Sequence, residues 1–181
     1  MSQQLAKEIS QRAAKAARAV ATLSETDKNA VLQKMADAIR ARQDKIIEVN
    51  KKDLATGKEK GLSDAMMDRL ELTPERVEGM ASAIEEIINL KDPVGDSYIL
   101  EERPNGLKIE KMRIPLGVIA MIYEARPNVT ADAGALCFKS GNAVILRCGR
   151  EAIESSKAIA EALHEALEQS GLPKDVITVV P

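Results

Sequence analysis

The chain has 181 residues, 45% of them hydrophobic, and 26 Lys plus Arg against 28 Asp plus Glu give a net charge of −2. That size supports one or two domains with a real core. No run of one sign provides a nucleic-acid footprint, and aromatic residues at 2% with no Trp rule against a base-stacking platform.

No stretch approaches the ~20 apolar residues that cross a bilayer. Met1-Ser2-Gln3-Gln4-Leu5 lacks the basic and apolar regions of a secretory signal. Cys137 and Cys148 have neither metal-ligand nor disulfide-scaffold spacing. A soluble, reducing, cytoplasmic setting without a metal site or a membrane partner is expected.

The first ninety residues have helical periodicity. Leu5, Ile9, Ala13, Ala16 and Val20 recur at spacings of three and four. Polar residues 22–27 interrupt the pattern. Leu32, Met35 and Ile39 restart it, and Ile46 and Val49 extend it. Residues 51–61, charged and punctuated by glycine, read as a solvated connection. Thr73-Pro74-Glu75 has the composition of a helix start, followed by a stripe of Val77, Met80, Ile84 and Ile87.

After Pro93 the period changes. Extended stretches at 97–101 and 107–113 flank Arg103-Pro104-Asn105-Gly106, where Asn-Gly is a strong hairpin signal because both residues tolerate positive φ. The apolar run at 118–123 predicts a strand buried on both faces. A helix at 129–139 stops at Gly141, and a second strand occupies 143–146. A long helix runs to Ser170, and a third strand fills 176–180. This β-α-β-α-β order predicts an α/β fold, the start of a doubly wound parallel, Rossmann-like sheet with a projecting hairpin. Three such strands leave an edge and a face uncovered, so the sheet is expected to continue in further residues.

The segment from Arg113 through Pro115-Leu116-Gly117-Val118 to Tyr123-Glu124-Ala125-Arg126-Pro127-Asn128-Val129-Thr130 resembles a signature of the γ-glutamyl phosphate reductases. Ala135-Leu136-Cys137-Phe138-Lys139-Ser140-Gly141-Asn142, Asp68-Arg69-Leu70-Glu71-Leu72-Thr73-Pro74 and Arg103-Pro104-Asn105-Gly106-Leu107 match as well. The resemblance covers essentially the whole chain, and the wider aldehyde dehydrogenase superfamily shares its skeleton. It implies NADPH-dependent reduction of γ-glutamyl phosphate to glutamate 5-semialdehyde and phosphate, in proline biosynthesis, through a cysteine thiolate. It divides the chain into a helical part of the cofactor domain (1–96), a hairpin of the homo-oligomerisation region (97–113) and a βαβαβ part of the NADP-binding domain (114–181). The nucleophilic cysteine is expected beyond Pro181, so this chain alone should be inactive.

The resemblance also suggests roles. Asn128 is the oxyanion donor, although Asn at a helix start is equally a plain N-cap. Arg126 and Pro127 set the loop and contact the phosphorylated substrate. Arg147 occupies the place of a cofactor-binding lysine. Arg150 stands where NAD-preferring relatives often carry a glutamate, which favours NADPH, unless both arginines are solvated surface residues. Ser155 and Ser156 lie near the expected pyrophosphate, or are polar residues on a helix face. Cys137 fits a small core residue, and His164, without a partner cluster, a surface or boundary position. Cys148 departs from the glycine usual in the family. Two rivals remain: a non-catalytic nucleotide-binding or structural module, and a dehydrogenase for free aldehydes. The Tyr-Glu-Ala-Arg-Pro-Asn motif disfavours the latter.

Overall fold

The computed structural model describes residues 2–180. Helices α1 (Gln3–Val20), α2 (Glu25–Ala41), α3 (Gln43–Glu59), α4 (Asp64–Leu70) and α5 (Pro74–Ile88) come first. Ser2, Ser24, Ser63 and Thr73 cap four of them, each accepting a backbone N–H three residues on. Such caps satisfy donors that the first turn leaves without partners.

The expected connection at 51–61 is instead the second half of α3. Its inward face carries Asn50, Asp53 and Gly57, all buried, while Lys51, Lys52, Lys58 and Glu59 are exposed. The buried members are polar or small, so the apolar period disappears although the helix continues. At Gly57 an added Cβ would stand 2.9 Å from Leu62 Cδ1, so a larger residue would have to push that side chain aside at the α3–α4 turn. The chain also breaks between α2 and α3 at Arg42, so Ile46 and Val49 belong to a new helix rather than extending α2.

Strands β1 (Ser97–Glu102) and β2 (Lys108–Met112) form an antiparallel hairpin exposed along almost its whole length. Its turn differs from the expected two-residue form. Gly106 N–H donates to Arg103 O at 2.8 Å, and only Gly106 has positive φ (84°), so Asn105 stays in ordinary backbone space.

Strands β3 (Val118–Ile122), β4 (Ala143–Arg147) and β5 (Ile177–Val179) form a parallel sheet in that order. Helices α6 (Val129–Lys139) and α7 (Ile153–Glu168) make the crossovers. Alternate residues divide between two faces, as the strand period requires. Val144, Leu146 and Ile177 join Leu32, Met35, Ile84, Phe138, Ile159 and Leu163 in the main core. Ala143, Ile145 and Val118 meet Ala13 and Ala17 of α1 on the other face. The helical first half and the sheet therefore share one core. The run at 118–123 is not buried on both faces, because β3 is an edge strand here, with Ala120 exposed and Ile122 78% exposed.

Two buried lysines tie the layers together. Lys28 Nζ lies 2.7 Å from Asp92 Oδ2. Lys139 Nζ donates to Asn29 Oδ1 at 2.7 Å and to Ile88 O at 3.2 Å.

Candidate functional site

The β3–α6 junction turns tightly. Val129 and Thr130 N–H donate to Arg126 O and Pro127 O, both at 3.0 Å. Pro127 is buried and Arg126 exposed. Asn128 already has helical dihedrals (φ −56°, ψ −30°) and its side chain does not cap α6. Its amide instead donates to Asp132 Oδ2 at 3.1 Å. An amide has two N–H donors, so one is left over, and the Asn128 backbone N–H has no partner among the described residues. Burial pushes the Asp132 carboxyl above the ordinary aspartate range, a push that the bond from Asn128 partly opposes.

Asn128 and Asp132 line an open cleft of about 440 Å³ between this junction and the α4–α5 corner, with Arg69, Arg76 and Arg126 on its walls. Arg76 is committed there: it donates to Asp68 Oδ1 at 2.7 Å, to Glu71 O at 3.0 Å and to Asp68 O. The guanidiniums of Arg69 and Arg126 make neither an ion pair nor a hydrogen bond among the described residues.

Arg147 ends β4 and Arg150 opens the short 3-10 turn before α7. Both are exposed and without a carboxylate partner among the described residues. Glu151 folds its carboxylate back over Gly149, so a side chain there would have to displace it. The loop therefore carries two guanidiniums and one carboxylate.

Ser155 is fully buried. Its N–H and hydroxyl donate to Asp53 Oδ2 at 2.7 and 2.6 Å, and its Oγ accepts from Asn50 Nδ2 at 3.0 Å. Neither of its donors is free for a phosphate. Ser156, also fully buried, completes no hydrogen bond among the described residues. Its Oγ lies near the Tyr123 hydroxyl and the Cys148 thiol and opposes the upward push that burial gives both. Tyr123 and Thr130 share a 2.7 Å hydroxyl contact across the junction.

Cys137 is 6% exposed, with its thiol pushed up to about 11 by burial, so it is a core residue rather than a thiolate. His164 is half-buried and its Nε2 meets Ile177 O at 2.6 Å, joining α7 to β5. Among the described residues no group of three or more His, Cys, Asp or Glu could hold a metal ion. No described helix is long and apolar enough to cross a membrane.

Sequence reasoning passed over Asp132, Asn50, Asp53 and Arg69. The four-residue spacing of Asn128 and Asp132 on one helix was an available signal. The contacts of Asn50 and Asp53 span 101 to 105 positions for their α7 partners, and no local pattern encodes them.

The chain matches the aldehyde dehydrogenase family over residues 1–181 and belongs to it. Within that family, it is 96% identical over 181 residues to the gamma-glutamyl phosphate reductase of Idiomarina loihiensis, covering 100% of this chain and 43% of the relative. Crystal structures of gamma-glutamyl phosphate reductases are similar in fold. That from Thermotoga maritima has 36% identity and a TM-score of 0.89, with 96% of this chain and 42% of that one covered. That from Saccharomyces cerevisiae has 34% identity and a TM-score of 0.91, with coverage of 99% and 46%. The chain thus spans less than half the length of the relatives it matches.

Proposed function

We propose that the chain is the cofactor-side portion of an NADPH-dependent γ-glutamyl phosphate reductase. The observation that carries this reading is Asn128, held by Asp132 on the wall of an arginine-lined cleft. The 96% identity to a reductase supports it.

Several of the chain's own residues have definite parts. The free Asn128 N–H donors and the positive end of α6 stabilise charge developing on the substrate carbonyl oxygen. Pro127, buried and without an N–H, fixes the turn that presents Arg126, whose guanidinium attracts the phosphorylated end of the substrate.

The donor set fits a phosphorylated dinucleotide. Arg147 and Arg150 are exposed and have no carboxylate partner among the described residues, and two guanidiniums suit a 2′-phosphate. Bound there, NADPH supplies the hydride that reduces the acyl group. Ser155 contributes by position, because its bonds to Asp53 fix the start of α7. The thiol nucleophile comes from residues beyond position 181, and assembly with further copies of the protein and action in the cytoplasm complete the reading.

The test is phosphate-dependent oxidation of glutamate 5-semialdehyde by the full-length polypeptide, followed as NADPH formation. Turnover that requires both phosphate and NADP supports the proposal. Absence of phosphate-dependent turnover with either nicotinamide cofactor overturns it.

A further inference from the structure

Arg69 has no assigned part in this chemistry, yet its surroundings point to one. It lines the 440 Å³ cleft with Asn128 and Arg126, and it lines an adjoining cavity of about 250 Å³ with Arg126 again. The two guanidiniums arrive from separate elements, the last turn of α4 and the β3–α6 loop.

Three other arginines of the helical half, unlike Arg147 and Arg150, find acids. Arg40 pairs with Glu78 and Glu85, Arg42 with Glu165, and Arg76 with Asp68. Arg69 and Arg126 have no such partner among the described residues, although Asp68, Glu71 and Asp132 line the larger cleft and Glu124 the smaller cavity. Two like charges kept on one cleft repel each other, and a bound anion removes that cost.

The position of Arg69 is also fixed in advance. Asn50, buried in α3, donates to Leu70 O at 2.8 Å and accepts from Leu72 N at 2.9 Å. Arg76 bonds the carbonyls of Asp68 and Glu71 on either side. The backbone that carries Arg69 is therefore held at several points, and only its side chain remains to be ordered when a ligand arrives.

Resting on the reductase reading, we propose that Arg69 is a substrate-binding residue that grips an anionic group of the acyl phosphate substrate, its phosphate or its α-carboxylate, together with Arg126. The cleft is then a specificity pocket built from two distant segments, with Asn128 at the reacting carbonyl and arginines at the charged end.

The experiment is steady-state kinetics of the full-length protein and its R69A and R69K variants in the phosphate-dependent oxidation direction. R69A should raise one KM by roughly 10- to 100-fold with unchanged Tm, and R69K should recover part of the loss. A rise in KM for phosphate identifies the phosphate as the bound group, and a rise in KM for the semialdehyde identifies the carboxylate. Both KM values within twofold of the parent, or a fall in kcat alone, would overturn the assignment. Failure of the parent protein to turn over would instead reject the reductase reading itself.

Discussion

The side-chain amide of Asn128 donates to the carboxylate of Asp132 one helical turn further on, at 3.1 Å. This bond fixes the rotamer of the only amide at the α6 entrance, and it replaces the N-cap that an asparagine there would ordinarily make. Asn128 lines the cleft and keeps a second amide N–H without a partner among the described residues.

Asp132 is disfavoured as an anion by its burial, which the bond from Asn128 only partly offsets. Burial raises its folded-state pKa above the ordinary value, so the stability it contributes is fully present below about pH 4 and is lost as pH rises through the folded pKa. D132N removes the charge and keeps an acceptor for Asn128. Thermal unfolding of the full-length protein should show a higher Tm for D132N at pH 7.5, with the gain shrinking as pH falls towards 4. Parallel Tm curves for the two proteins would contradict this.

The bonds among Asn50, Asp53 and Ser155 carry the second prediction. Asp53 is buried and accepts two donors from Ser155 at the start of α7, where the helix end favours negative charge. D53A leaves those donors unmatched and should cost about 2–4 kcal/mol, read as a lower urea midpoint with unchanged slope. A loss under 0.5 kcal/mol would mean that water replaces the carboxylate freely.

The arginine pair after β4 predicts cofactor choice. R150E places a second carboxylate beside Glu151, which already folds over Gly149. KM for NADP should rise at least about tenfold while KM for NAD stays level or falls, because a carboxylate repels a 2′-phosphate and accepts from a ribose hydroxyl. Equal changes for both cofactors would remove Arg150 from the specificity site.

Much of the sheet half was legible in the sequence because each signal there is local. Gly141 and Gly171 close their turns at positive φ, and α6 spans the residues that its Val129, Ala133 and Leu136 spacing indicates. The helical half was harder. The face of α3 that turns inward carries Asn50 and Asp53 because it meets backbone ends of α4 and α7, which require hydrogen bonds rather than apolar cover. A period built on apolar residues cannot register such a face. The burial of Ser155 and the convergence of Arg69 on Arg126 are likewise products of tertiary packing. At β3 the limit was different: an apolar run reports that a strand can be covered, while Ile122 is exposed at the edge of these three strands.

The most direct measurement compares phosphate-dependent turnover of glutamate 5-semialdehyde by the full-length protein and its N128A variant. The account predicts a kcat lower by roughly 10²–10³, with KM values within about threefold and an unchanged Tm, as for loss of one oxyanion donor. An N128A enzyme turning over within a few-fold of the parent would contradict it, because charge on the reacting carbonyl would then be stabilised elsewhere.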